Sequence, residues 1–284
     1  MPRVRVSDDG ALLEHNDVQV ASIEHKMGIN GSATCVMQFG DDGQCVGELV
    51  GTVENQGMKQ MFRMMNFARI GVGVQGLTLR QRRISVRWNT PKNASKVRAW
   101  SILSATAERV AIIEHPNIRR DLLDMKAKVE GMRALAVKLT THQDRVTAIG
   151  SKDDASAAYH QGQVDLLVPL LKSYCSDQAF RVCETAIQVY GGAGFLKDHP
   201  VEQACRDSGI FSIYEGTNYI QSMDLVGRKL GQRGGENTKA YFADIQDFLT
   251  NNEANADFSE DLVTLGRAMQ SMGGLVQQTG RCFS

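Results

Sequence analysis

Ile118, Leu122, Met125, Val129, Met132 and Leu135 recur at spacings of three and four, just after Glu114-His115-Pro116-Asn117. That period puts them on one face of a helix, and Pro116 suits a first helical position. A second long helical stretch is expected over 156–190, with Leu171, Tyr174, Ala179, Val182, Ala186 and Val189 on one stripe. Pro169 should kink it, and Gly191-Gly192 should cap its end. The loop Gly150-Ser151-Lys152-Asp153-Asp154 separates the two stretches. Long helices joined so tightly lie antiparallel. A third helix is expected over about 217–230. Two weaker helical patterns follow the Gly234-Gly235 break, near 238–250 and 259–277. The expected fold class is therefore mainly α, an antiparallel helical bundle.

The first 53 residues follow a different period. Val18, Val20 and Ile23 alternate with polar residues, and Cys35, Met37 and Phe39 alternate with Thr34, Val36 and Gln38. Gly40-Asp41-Asp42-Gly43 then suits a turn, and Cys45 to Val50 is expected as the returning strand of a hairpin. So few strands cannot bury two faces, so this segment is expected to be a small N-terminal β remnant. From about residue 55 the period turns helical. Met58, Met61, Met64 and Met65 there are expected as flexible core filler.

The totals exclude several function classes. Formal net charge is zero, which gives no electrostatic case for binding nucleic acid or an anionic membrane. Six cysteines lie scattered without C-x-x-C pairs, so a disulfide or metal framework is not expected and reduced thiols in a cytoplasmic protein are. No apolar run is long enough to span a bilayer, and Met1-Pro2-Arg3-Val4 opens no signal-peptide pattern.

The chemistry concentrates in Ile213-Tyr214-Glu215-Gly216-Thr217-Asn218. Glu215 falls between two helices, close to a helix start and framed by apolar residues. Such surroundings raise a carboxyl pKa toward neutrality, where a general base works best. From the residues alone, Glu215 is equally a helix-start charge meeting the macrodipole.

Taken together, the motifs resemble the acyl-CoA dehydrogenase family over about residues 5–230. The resemblance rests on Glu24-His25-Lys26-Met27-Gly28 with Gly31-Ser32, on Asn66-Phe67-Ala68-Arg69, and on His115-Pro116-Asn117-Ile118-Arg119-Arg120. It rests further on Gln188-x-x-Gly191-Gly192-x-Gly194-Phe195, Pro200-Val201-Glu202 with Arg206-Asp207, and the Glu215 motif continuing to Ile220-Gln221. Ser22 to Gly31 and the extension past residue 231 resemble the longer branch that includes 3-methylmercaptopropionyl-CoA dehydrogenase.

The resemblance implies a flavoprotein oxidoreductase of fatty acid metabolism that converts an acyl-CoA to a trans-2-enoyl-CoA. Glu215 would take the α-proton and FAD the β-hydride. The position that carries the base in other branches is here Ala68, which cannot act. Gly216 would leave room for close approach, and Thr217 and Asn218 would donate to flavin phosphate or ribose. Gln188, Gly191, Gly192 and Gly194 resemble the stretch that meets a neighbouring subunit's FAD in a homo-oligomer. Asn66 and Arg69 match positions facing the CoA chain. Arg69 could equally be a solvated charge, and Arg206-Asp207 is expected as a structural ion pair between helices. An electron-transfer partner is implied, and an acyl-CoA oxidase would differ only in oxygen access.

Three departures carry an alternative. The expected domains are a remnant of the family's middle β-domain over 1–53, a C-terminal helical flavin-binding and catalytic domain over 54–231, and a truncated helical extension over 232–284. The family's N-terminal helical domain and first β strands are thus expected to be missing. Residues 79–108 also lack the family's Tyr-Ala-x-Glu-Arg-x-Gln segment. Codons for Asn89 to Val97 read one nucleotide earlier can spell Glu-Tyr-Ala-Lys-Glu-Arg-Val-Gln-Gly, as two compensating frameshifts would produce. The alternative is therefore an inactive truncated or frameshifted helical remnant, without catalysis or dependent on a partner.

Overall fold

A computed structural model gives the fold of residues 1–83, 97–98, 109–150 and 154–282. These fall into two compact units, Met1–Met65 and Asn66–Ser284. The frameshift reading and the loop at Ser151-Lys152-Asp153 lie outside the described residues, apart from 79–83 and 97–98.

In the first unit, β1 (Val4–Val6) pairs antiparallel with β2 (Leu12–His15), and β3 (Val18–Ile23) with β4 (Cys35–Phe39). The expected hairpin between Cys35–Phe39 and residues 45–50 does not form. The partner of β4 is β3, in register Val18 with Phe39 and Ile23 with Cys35. The reason is where the backbone donors after Phe39 go. Gly40 N–H reaches the Asp17 carbonyl at 3.0 Å, and the Asp17 carboxylate accepts from Asp42 N–H at 2.7 Å and Gln44 N–H at 3.2 Å. Val46 N–H bonds to Asn16 Oδ1 at 2.9 Å. Donors that a returning strand would place in a ladder are taken by two side chains. Helix α1 (Gly57–Arg83) starts in this unit. Met58, Met61 and Met64 on it are exposed rather than core.

The second unit is the helical bundle. Helix α2 (Pro116–Ile149) starts behind an extended His115 and ends at Gly150, φ 57°. Helix α3 (Asp154–Tyr190) continues through Pro169. The two run antiparallel: Met125 packs with Val182 and Ala186, whereas Met132, Ala136 and Leu139 pack with Val164, Leu167, Val168 and Leu171. Tyr174, expected on the buried stripe of α3, is exposed. Ile70 and Leu77 bring α1 into the same core. Gly76 permits that approach, since a Cβ there would lie 2.8 Å from the Cys175 carbonyl oxygen.

Strands β5 (Val97–Arg98) and β6 (Arg109–Val110) make a short antiparallel pair. Helix α4 (Pro200–Ser208) buries Val201 and Ala204. Helix α5 (Asn218–Asp224) runs into a π-helical turn, Leu225–Lys229. Helices α6 (Glu236–Asn252) and α7 (Ser259–Cys282) follow. Tyr159 O–H donates to Asp244 at 2.7 Å and Gln163 donates to the Asn237 carbonyl at 3.1 Å, tying α6 to α3. Among the described residues no helix is long and apolar enough to cross a membrane.

Candidate active site

The chain leaving α4 tightens at Ile210, whose carbonyl accepts from Ile213 N–H at 2.9 Å and Tyr214 N–H at 3.1 Å. Phe211 is buried with Val72 and Ala179 and stacks on Tyr214. These apolar anchors hold the turn from which Glu215 projects. Glu215 and Gly216 are both left-handed, with φ 55° and 85°. Thr217 then caps α5: its Oγ1 accepts from Ile220 N–H at 3.2 Å. Asn218 N–H closes the turn onto the Ser212 carbonyl at 3.0 Å. Glu215 therefore lies two residues ahead of the cap, outside the first turn of α5.

Two charge clusters underlie this turn. Arg69 is buried on α1 and its Nη1 pairs with Asp224 Oδ2 at 3.1 Å, both side chains 4% exposed. Asp224 Oδ1 also accepts from Arg228 at 2.6 and 2.8 Å. Arg69 is thus not a solvated charge. Asn66 is half-buried beside it, with Oδ1 3.5 Å from Nη1. A Cβ on Gly216 would lie 2.8 Å from Gln221 Nε2 and 3.5 Å from Arg69 Nη2, and its φ of 85° is one that glycine adopts without cost.

The second cluster centres on Lys172 of α3, which is fully buried. Its Nζ donates to Asn218 Oδ1 at 3.1 Å, while Asn218 Nδ2 donates to Asp177 at 2.7 Å and to the Ser173 carbonyl at 3.3 Å. Burial, then the Arg69 charge, push the Lys172 ammonium down to about 8, against the upward pull of Asp177 and Glu215. Burial and the neighbouring Glu215 carboxylate raise the Tyr214 phenol.

Not all the predicted site residues converge. Asn66, Arg69, Glu215, Gly216, Thr217 and Asn218 meet where α1, α3 and α5 approach. Gln188 lies near the C-terminal end of α3, about 24 Å along the helix from Lys172 at about 1.5 Å per residue, and Gly191, Gly192 and Gly194 follow just beyond it. Gly191 is left-handed at φ 62°, and a Cβ on Gly194 would lie 2.7 Å from the Ile187 carbonyl oxygen. Gly192 is different: it is exposed, its φ is ordinary and open space surrounds it. Arg206 and Asp207 both lie on α4, so the expected pair is not one between helices, and Arg206 pairs with Glu202 at 2.6 Å, the i,i+4 spacing bringing that carboxylate alongside it.

Lys172, Asp177 and Asp224 went unnoticed in the sequence. A signal existed for the first: between Gln163 and Ser176 the only charged residues are Asp165 and Lys172. A lone ammonium in so apolar a run has to find a buried partner.

Known proteins of one family resemble the chain. Residues 55–230 match the family model described as acyl-CoA dehydrogenase, C-terminal domain. A butyryl-CoA dehydrogenase of Syntrophomonas wolfei is 34% identical over 97% of this chain and 45% of its own length. The 3-methylmercaptopropionyl-CoA dehydrogenase of Ruegeria pomeroyi is 35% identical over 85% of this chain and 40% of its own. Among solved structures, Caenorhabditis elegans ACDH-11 in complex with C11-CoA superposes with a TM-score of 0.76 at 19% identity, over 96% of this chain and 46% of that one. The Bacillus anthracis acyl-CoA dehydrogenase complexed with FAD gives 0.61 at 21% identity, over 82% and 39%. The chain spans less than half the length of these curated relatives. By sequence and by fold, the chain belongs to the acyl-CoA dehydrogenase family.

Proposed function

We propose that this chain carries the base for flavin-dependent α,β-dehydrogenation of an acyl-CoA thioester to a trans-2-enoyl-CoA. The observation that carries the reading is Glu215: a half-exposed carboxylate in a left-handed conformation on a turn braced from three helices. A conformation that disfavours any residue with a Cβ, kept at a carboxylate, supports a role for that carboxylate. A thioester carbonyl makes the adjacent α-hydrogen acidic, and a base fixed at one position removes it with little reorganisation.

The residues fit FAD at two places. Thr217 Oγ1 accepts from Ile220 N–H, which leaves its own proton to donate outward. Gly192 is exposed, with open space where a Cβ would stand. Both hydrogens of the Asn218 amide are engaged within the chain, so Thr217 and the Gly216 backbone are the better phosphate or ribose contacts. Asn218, next to Thr217, meets α3 at Lys172 and Asp177, whereas Gly192 follows the C-terminal end of that helix, and contacts so divided suit two FAD molecules, one shared from a second subunit, and hence a homo-oligomer. When bound, FAD supplies the acceptor for the β-hydride. A reduced flavin must then be reoxidised, which calls for an electron-transfer partner.

A second reading has its own support. Ile213, Tyr219 and Ile220, the apolar neighbours of Glu215 in the chain, are exposed. This face alone does not exclude water, so turnover would need another surface to cover it, and without one the chain would be inactive.

The test is α-hydrogen exchange. After incubation with FAD, the chain should wash deuterium from D2O into the α-position of a short acyl-CoA, and Glu215→Gln should stop it. Equal exchange in both proteins would remove Glu215 from the role.

A further inference from the structure

We infer that Lys172 is a positioning residue for the Glu215 turn, acting through the side chain of Asn218. The inference rests on the reading of Glu215 as the base. An ammonium can only donate and a carboxylate can only accept. Lys172 Nζ therefore has to face Asn218 Oδ1, 3.1 Å away, and Asp177 Oδ1 has to face Asn218 Nδ2, 2.7 Å away. The two charges on one face of α3 leave the amide a single orientation, and the Ser173 carbonyl takes its remaining donor.

That orientation reaches Glu215 through the backbone. Asn218 N–H closes the turn onto the Ser212 carbonyl, with Glu215 and Gly216 left-handed inside it. The Asn218 side chain is thus the point where α3 grips the end of the base-bearing turn. Burying an ammonium is costly unless it is used. Here it is compensated by Asp177 and Glu215 and opposed by Arg69 of α1, the charged groups that face it. Losing the charge removes the donor that holds Oδ1, and the grip slackens. In Lys172→Met the proton-removal step should fall while FAD is retained.

The test is NMR of the full chain labelled with [15N]asparagine, the Asn218 side-chain amide being assigned by its loss in Asn218→Ala. In the wild type this amide pair should shift with pH about a midpoint near 8, where the ammonium titrates. Lys172→Met should lose that midpoint, and its amide should exchange with water about tenfold faster. Lys172→Arg should keep the slow exchange but not the pH dependence, a pattern that mere packing does not produce. A wild-type amide that stays fixed from neutrality to about pH 9.5 overturns the proposal. Unchanged exchange in Lys172→Met overturns it too. Glu215→Gln keeps the two readings apart, because the Asn218 titration persists there whether or not α-hydrogen exchange is lost.

Discussion

Replacing Glu215 by glycine and, in parallel, by alanine separates strain from chemistry. Glu215 has φ 55° and the following Gly216 has φ 85°. A residue with a Cβ gives up roughly 1–2 kcal/mol in this region. Glycine avoids most of that, but loses about 0.5–1 kcal/mol more chain entropy on folding. Alanine removes the carboxylate and keeps the Cβ, so both variants lose the same charge beside Lys172 and that effect cancels between them. The glycine variant should be the more stable by about 0.5–1 kcal/mol, the reverse of the order at ordinary positions, where alanine gains roughly 0.4–1 kcal/mol. For a domain of this size that is a melting difference of about 1–4 °C. Urea unfolding followed by far-ultraviolet circular dichroism, with equal m-values, measures it. An alanine variant as stable as glycine, or more so, would refute the argument that the fold holds this carboxylate against a conformational cost.

The buried ion pair predicts an asymmetry. Asp224→Ala strands Arg69 and should cost about 3–5 kcal/mol. Arg69→Met leaves Asp224 with Arg228 and should cost only about 1–3 kcal/mol; urea unfolding of both variants checks the order. Gly76→Val drives a side chain into the Cys175 carbonyl at 2.8 Å, and should destabilise by about 1–3 kcal/mol in a thermal melt. Stability should also fall with acid through His142, whose Nδ1 lies 2.9 Å from that of His160. Burial, then the His160 and Lys138 charges, lower the His142 pKa against the pull of Asp244. The unfolded chain therefore binds the proton more readily, near its ordinary value of about 6.5, and the folded chain loses stability as pH falls below that value. A urea series at falling pH should show the decline, and His142→Gln should flatten it.

The long helices were legible because their period is local: Met125 and Met132 are seven residues apart and both buried. The β3–β4 pairing was not, because Asn16 and Asp17 capture the donors of Asp42, Gln44 and Val46 from about thirty residues away, and no local pattern announces such a capture. Nor could periodicity reveal that Met58 and Met64 stay exposed, since a helical stripe marks an apolar face without saying what covers it. At the site, the Glu215 motif was readable as a sequence. The ion pair beneath it joins Arg69 to Asp224, 155 residues apart, and a pair so distant emerges only once α1 and α5 are packed. Lys172 lay between the two cases: its apolar neighbours marked it as unusual, and only the fold supplied Asn218 and Asp177.

The measurement that bears most directly on the central claim is the visible spectrum of the chain after incubation with FAD, recorded before and after adding an acyl-CoA. The account predicts a flavin spectrum that bleaches with substrate in the wild type. In Glu215→Gln it predicts the same spectrum, retained without bleaching. A chain that stays colourless would discard the first reading and leave the partner-dependent one. A Glu215→Gln protein that bleaches as fast as the wild type would contradict the assignment of Glu215 as the base.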